Sequence, residues 1–310
     1  MNGGDAWNED YKWLLYAPWV PAVAIVAEQC RDRVTADQWY AIAALRECPG
    51  PEGCHTQLLG AEIVYGIAAH GQPFARRVGS ASEDGIDLPV LADYGYLWTT
   101  VGRPSRPLFT IPETAERGRR VFNAATIGVH VSGPRAIDNF LDMGHLPFVH
   151  AGVLGELPHT EIGDYDVECS DDEIWARRCR IFQPKAAAAS RIGAMVEYDF
   201  RVPHPMCALL YKTTPDQAGL DVLGLFTHPL REDYVRVHLF NCLLDDTSTI
   251  AEIRRFQQGV LAQDKPILEN QRPKSLPLAP RAETPVRADK TGIVYRRWLA
   301  DRGVTYGVVV

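Results

Sequence analysis

The densest chemistry in the sequence lies in Asp138-Asn139-Phe140-Leu141-Asp142-Met143-Gly144-His145-Leu146-Pro147-Phe148-Val149-His150. Asn139, Asp142 and His145 recur every third residue, so on a helix they share one face. Phe140, Leu141 and Met143 between them cannot all face water, which draws the polar row into a partly apolar interior. Polar groups buried there without partners are costly, so the row predicts one. His150 follows His145 by five residues, about 140° round a continuous helix (five steps of roughly 100°), too far to share an ion. Gly144 and Pro147 predict that the helix ends near His145 and that the following loop returns His150 towards it. Two imidazoles so placed suit a facial metal site. Two neighbouring histidines among nine are equally what a hydrogen-bonded structural pair looks like.

A facial site needs a carboxylate from elsewhere in the chain. The candidate is Asp264, in Phe256-Gln257-Gln258-Gly259-Val260-Leu261-Ala262-Gln263-Asp264-Lys265-Pro266, where a helical stretch delivers a carboxylate just before a proline. From spacing alone, a surface Asp on an exposed helix reads the same. Two neutral His and one carboxylate with open positions form the ligand set of non-haem Fe(II) oxygenases. Zinc hydrolases use the same donors, so the set leaves the metal open.

The elements that must position these groups are visible in outline. Residues 1–37 read as an N-terminal extension. Residues 38–112 read as a small, loop-rich β-domain with strands at 62–67 and 94–101, closed by a linker-like stretch with Pro104, Pro107 and Pro112. Residues 113–310 carry strand-length runs at 121–131, 174–182, 195–202, 222–226 and 234–240. Helices are predicted from about Pro134 to Gly144, from Thr247 to about Gln263, and near 289–300. Strands whose one face must be covered by helices predict an α+β layer fold. Pocket-lining positions are expected on the strands between Arg178 and Asn241, with Phe182, Leu223 and Phe226 among the apolar candidates.

The 310 residues are 46% hydrophobic and 23% charged, enough for a sizeable core. The net charge is −7 and the densest basic run is Arg117-Gly118-Arg119-Arg120, which argues against a nucleic-acid or anionic-membrane partner. Seven scattered cysteines with no C-x-x-C point to a reducing compartment. The longest apolar run, 14–27, carries Pro18 and Pro21 and falls short of the roughly 20 residues a membrane span needs. A docked segment or subunit contact is the expected role of this run, and the cytoplasm the expected location.

At these residues the chain resembles the catalytic domain of Rieske non-haem iron oxygenases, most closely the branch that demethylates or hydroxylates aromatic compounds. The family pattern N-x-x-D-x-x-H-x-x-x-x-H reads here as Asn139, Asp142, His145 and His150. The third ligand matches Asp264, within Gln263-Asp264-Lys265-Pro266-Ile267-Leu268-Glu269-Asn270-Gln271-Arg272-Pro273. The likeness spans roughly residues 117–301. It implies Fe(II) on His145, His150 and Asp264, with Asp142 and Asn139 as further catalytic residues, and a helix-grip (START/Bet v 1-like) antiparallel-sheet catalytic domain in residues 113–310. It implies O2 and a small aromatic or heterocyclic substrate, and a homo- or hetero-trimer-based oligomer.

Upstream the resemblance is altered. Gln38-Trp39-Tyr40-Ala41-Ile42-Ala43-Ala44-Leu45 is similar to the start of the family's N-terminal domain, and Leu88-Pro89-Val90 with Tyr94-Gly95-Tyr96-Leu97-Trp98 to its end. A Rieske [2Fe–2S] centre needs two Cys and two His, which the family supplies as C-x-H and C-x-x-H. Neither motif occurs here, and the adjacent Cys54-His55 cannot reproduce that geometry. Residues 38–112 thus resemble a degenerate Rieske domain without its cluster. The family's Asp before the first His ligand links that iron to a neighbouring subunit's cluster, and Asp142 holds this position. The implied electron source is a Rieske centre on another polypeptide, a reductase or sister oxygenase subunit. Two other readings compete: a non-catalytic assembly subunit, which has no reason to retain the whole triad, and a helix-grip small-molecule binding protein, whose ligand binding chelators would not affect.

Overall fold

The computed structural model describes residues 30–79, 85–190, 192–213 and 219–310. The apolar run at 14–27, and most of the expected extension, lie outside the described residues.

In chain order the described residues form α1 (Arg33–Ala36), β1 (Tyr40–Ala44), β2 (Cys54–Leu58), β3 (Ala61–Ile67), β4 (Pro73–Arg77), β5 (Ile86–Asp87), β6 (Val90–Asp93) and β7 (Tyr96–Thr99). There follow β8 (Arg120–Val129), α2 (Gly133–Leu141), α3 (Leu146–Val149), β9 (Asp166–Cys169), β10 (Ile174–Gln183), β11 (Ala194–His204), β12 (Cys207–Thr213), β13 (Leu220–Arg231) and β14 (Tyr234–Leu243). The chain closes with α4 (Ile250–Asn270), β15 (Leu276–Pro277), α5 (Lys290–Asp301) and β16 (Val308–Val309).

A seven-stranded antiparallel sheet, in the order β8-β14-β13-β12-β11-β10-β9, is the frame. One face packs a core with α2, α4 and α5 through Ile137, Leu141, Phe200, Leu225, Ile253, Leu261 and Trp298. The other face meets the three-stranded sheet β1-β7-β6 through Tyr96, Trp98, Phe226 and Phe240, with the Trp98 and Phe226 rings 5.1 Å apart. A second small sheet, β2-β3-β4-β5, lies beyond. The expected sheet-rich α+β architecture is therefore present. β12 was not predicted: both of its faces are covered, so Cys-Ala-Leu-Leu-Tyr-Lys-Thr lacks the alternation that marks a half-exposed strand. The short edge strand β9 was missed as well.

α4 covers the open edge of the sheet. β8 pairs only with β14, leaving carbonyls on its outer side. Arg254 Nε donates to the Asn123 carbonyl (3.3 Å), Gln258 Nε2 to Ala124 (3.0 Å) and Lys265 Nζ to Gly128 (2.8 Å). Glu269 Oε1 accepts from His130 N (2.9 Å) and from Lys265. These bonds satisfy an edge that would otherwise invite another strand. The helix starts at Thr249, whose hydroxyl and Glu252 form a capping box. It runs through Pro266 to Asn270, past the predicted end near Gln263. A proline inside a helix forfeits one backbone bond, and the buried Leu268 together with the Glu269 contacts holds the last turn in place.

α2 is tied down by a buried ion network. Arg135 is 1% exposed and donates to Glu283 (2.7 Å) and to the Pro273 carbonyl (3.2 Å). Arg296 of α5 pairs with both Asp138 (2.6 Å) and Glu283 (2.7 Å).

Three histidines of the large sheet are buried against the N-terminal strands. His204 meets the Tyr40 ring edge-on at 5.5 Å, and His228 Nε2 lies 2.7 Å from the Gln57 carbonyl. His238 meets Tyr96 at 5.5 Å and Thr126 Oγ1 at 2.9 Å. Burial above all, reinforced by nearby arginines, holds all three below the ordinary imidazole range, His204 and His238 to about 3. A folded-state pKa below the unfolded value of about 6.5 contributes stability that is fully present above that pH and lost as pH falls towards 3. Denaturant midpoints should therefore fall between about pH 7 and about pH 4, and less steeply in His204→Gln and His238→Gln. An unchanged pH dependence in both variants would refute this account.

Candidate metal centre

The chain leaves α2 at Asp142, whose backbone is extended (φ −77°, ψ 120°). Asp142 Oδ1 accepts the Gly144 N–H at 2.6 Å, turning the chain at once into the single turn of α3. His145 stands immediately before that turn and His150 immediately after it, with Pro147 inside it. The Val149 and His150 amides donate to the His145 and Leu146 carbonyls. Two expectations change here. The predicted helix to Gly144 stops at Leu141, so Asn139, Asp142 and His145 do not share one continuous helical face. The two histidines flank a common turn, instead of one sitting on a helix end and the other on a loop. Asn139 is half-buried; its carbonyl accepts the Asp142 N–H (3.2 Å), and its side chain forms no hydrogen bond with the cluster among the described residues.

Asp264 reaches the same point from α4. Its Oδ1 lies 3.0 Å from His150 Nε2 and 3.3 Å from His145 Nε2, and the two Nε2 atoms are 3.2 Å apart. Among the described residues, His145, His150 and Asp264 form a group whose donor atoms all lie within 4.8 Å of one another. Ligands at right angles on bonds of about 2.1 Å stand roughly 3.0 Å apart, so this spacing fits three donors on one face of a divalent ion. Asp264 Oδ1 is buried and has no aligned hydrogen-bond donor, as expected of an oxygen whose partner is an ion.

The far side of each imidazole is also engaged. Asp142 Oδ2 lies 3.1 Å from His145 Nδ1, a charge contact and not an aligned hydrogen bond, since Nδ1 has no such partner. Gln263, the residue before Asp264, places Oε1 2.9 Å from His150 Nδ1. Burial lowers the His145 pKa, but the Asp142 and Asp264 carboxylates outweigh it and raise the value to about 9. Burial raises that of Asp264, and the two imidazoles bring it below the usual carboxylate range. The His145 shift records the two carboxylates around that ring, and the Asp264 shift records the two imidazoles against its carboxylate. Sequence reasoning missed Gln263; its adjacency to the candidate carboxylate was the available signal, and only the fold shows that consecutive residues of α4 grip opposite edges of one ring.

A cavity of about 760 Å³ meets the centre through Gln263, although none of the three donor residues lines it; its walls are Val153, Lys185, Ala188, Ala189, Ser190, Thr247, Ser248, Glu252, Arg255, Phe256, Gly259, Val260 and Gln263. Its walls come from α4 and the segments after α3 and β10, not from the strands expected. Phe226 lies in the opposite core, against Trp98, and Phe182 packs on His159 at 4.4 Å. Leu223 is half-buried against the helix-side core. The Lys185 ammonium stands 5.5 Å from the Phe256 ring centroid. Cys54 and His55 are exposed neighbours on β2, and all seven cysteines are free thiols.

The profile described as the vanillate O-demethylase oxygenase C-terminal domain matches residues 129–303. The "Probable methylxanthine N7-demethylase NdmC" of Pseudomonas sp. (strain TJI-51) is 46% identical over 274 residues, 87% of this chain and 95% of that protein. The methylxanthine N1-demethylase NdmA of Pseudomonas putida is 27% identical over 168 residues, 54% of this chain and 46% of that one. Among solved structures, NdmA of Pseudomonas putida with caffeine superposes with a TM-score of 0.68 at 17% identity, covering 84% of this chain and 89% of that one. Dicamba monooxygenase bound to dicamba gives 0.67 at 14% identity, covering 86% and 97%. These two structures attest the fold. The family match and the 46% identity attest more: the chain is an oxidoreductase that belongs to the vanillate O-demethylase oxygenase group of the Rieske non-haem iron oxygenases.

Proposed function

We propose that this chain is the oxygenase component of an N-demethylase for methylated purine-type heterocycles, with Fe(II) held by His145, His150 and Asp264. The observation that carries the reading is the convergence of these three donors beside a cavity, in a chain 46% identical to a protein named a methylxanthine N7-demethylase. Iron held there would supply O2 activation. The reaction balances as one N–CH3 group, O2, two electrons and two protons giving N–H, formaldehyde and water.

The chain's own residues supply the rest. His145 and His150 would hold the ion through Nε2, and Asp264 would neutralise part of its charge. Asp142 faces His145 Nδ1 and orients the ring, while Asn139 holds the Asp142 backbone. The Phe256 ring, with the Lys185 ammonium standing over it and Ser190 on the same cavity wall, suits a planar heterocycle bearing carbonyl acceptors. In this reading residues 113–310 form a helix-grip catalytic domain and residues 38–112 a degenerate Rieske-like domain without a cluster. The two electrons come from a Rieske centre on a partner protein that docks near Asp142, whose side chain is 35% exposed. The working assembly is a trimer-based oligomer, as the family resemblance implies.

Anaerobic loading should give about one iron per chain, falling close to zero in His145→Ala and Asp264→Asn with circular dichroism unchanged. A full iron complement in either variant would overturn the ligand assignment. Formaldehyde release from 7-methylxanthine should need both a reductase and a Rieske-bearing partner. Turnover by the isolated chain with NADH alone would sink the split electron path.

A further inference from the structure

Gln263 touches both the candidate metal ligand and the cavity. Its Oε1 lies 2.9 Å from His150 Nδ1, and its side chain lines the 760 Å³ cavity. The His150 side chain is 1% exposed and is engaged on both nitrogens by consecutive residues of α4, Nδ1 by Gln263 and Nε2 by Asp264 at 3.0 Å. The His150 carbonyl also accepts the N–H of the lining residue Val153 at 2.9 Å, a second link from this ligand to the cavity wall.

The proton on His150 decides how the Gln263 amide is oriented. An imidazole that binds an ion through Nε2 presents a lone pair there, so its single proton sits on Nδ1. That N–H can only donate, so Gln263 must accept with Oε1. The amide nitrogen is then turned away from the ring. Among the described residues Gln263 Nε2 donates to no protein group, and the space beside the side chain is the cavity.

We infer that Gln263 is a positioning residue with two ends: its oxygen fixes the tautomer and angle of His150, and its amide N–H groups bind a carbonyl or imine-type nitrogen on a planar heterocycle in the cavity. This rests on the metal-centre reading above and adds to it a specificity-determining contact. A ligand that draws on the amide nitrogen polarises the oxygen that holds His150, so cavity and metal ligand are joined through one side chain.

Co(II) as the metal probe and 7-methylxanthine as the cavity probe separate the two ends. Gln263→Leu removes both and should weaken Co(II) binding by about 10- to 100-fold in chelator competition, with an altered visible absorption band and an unchanged thermal melt. Gln263→Glu keeps the acceptor and loses the donors. Its Co(II) affinity should be at or above that of the unsubstituted chain, while its affinity for 7-methylxanthine, measured calorimetrically on the Co(II) form, drops by about 10-fold or more. Unaltered Co(II) affinity and spectrum in Gln263→Leu overturn the positioning role. Unaltered 7-methylxanthine affinity in Gln263→Glu overturns the donor role. An unsubstituted chain that takes up no Co(II) overturns the metal-centre reading itself, a result distinct from either.

Discussion

The registration of α4 along the edge strand β8 is the constraint on which the rest depends. Arg254, Gln258 and Lys265 reach the carbonyls of Asn123, Ala124 and Gly128 in the same order along both elements. Eleven residues of helix rise about 16.5 Å and five of strand about the same, so the two ladders are commensurate between Arg254 and Lys265. A slip of one residue would shift α4 by about 1.5 Å and turn Asp264 by about 100°. Oδ1 would then leave the imidazoles. The same bonds that close a sheet edge thus set the placement of a single oxygen.

The other half of the centre is held by charge buried beneath α2. Arg135 and Arg296 share Glu283, and Arg296 also binds Asp138. Burial above all, with the nearby Glu283 carboxylate adding to it, pushes the Asp138 pKa up despite its arginine neighbours, so loss of Arg296, which pairs with it, would leave an uncompensated carboxylate inside. Such a network is weak evidence for stability but strong for geometry, because each guanidinium tolerates few arrangements. It fixes where α2 stops, and so where Asp142 and the turn with the two histidines begin.

Much of the frame was legible because it rests on local rules. The 174–182 and 234–240 runs alternate or carry β-branched residues, and both strands begin at the expected residue and end one and three residues later than expected. The histidine pair and Asp264 were legible through the family resemblance, since spacing alone reads equally as a structural pair and a surface Asp. What was lost has physical causes. β12 is covered on both faces, so periodicity carried no signal there. The end of α4 was misplaced because tertiary contacts at Leu268 and Glu269 override Pro266. Gln263 and the cavity could not be read, because which face of α4 meets His150 depends on pairings more than a hundred residues apart in the chain.

Engagement of the two imidazoles from different elements has an evolutionary consequence. His145 answers to Asp142, on the connection after α2, and His150 to Gln263, on α4. Substitutions along α4 reshape the cavity that is proposed to hold the substrate, while the surface around Asp142 is left untouched. On the proposed roles, relatives are free to diversify in what they consume while keeping one donor, since the Asp142 surface and the α4 wall of the cavity belong to separate parts of the chain.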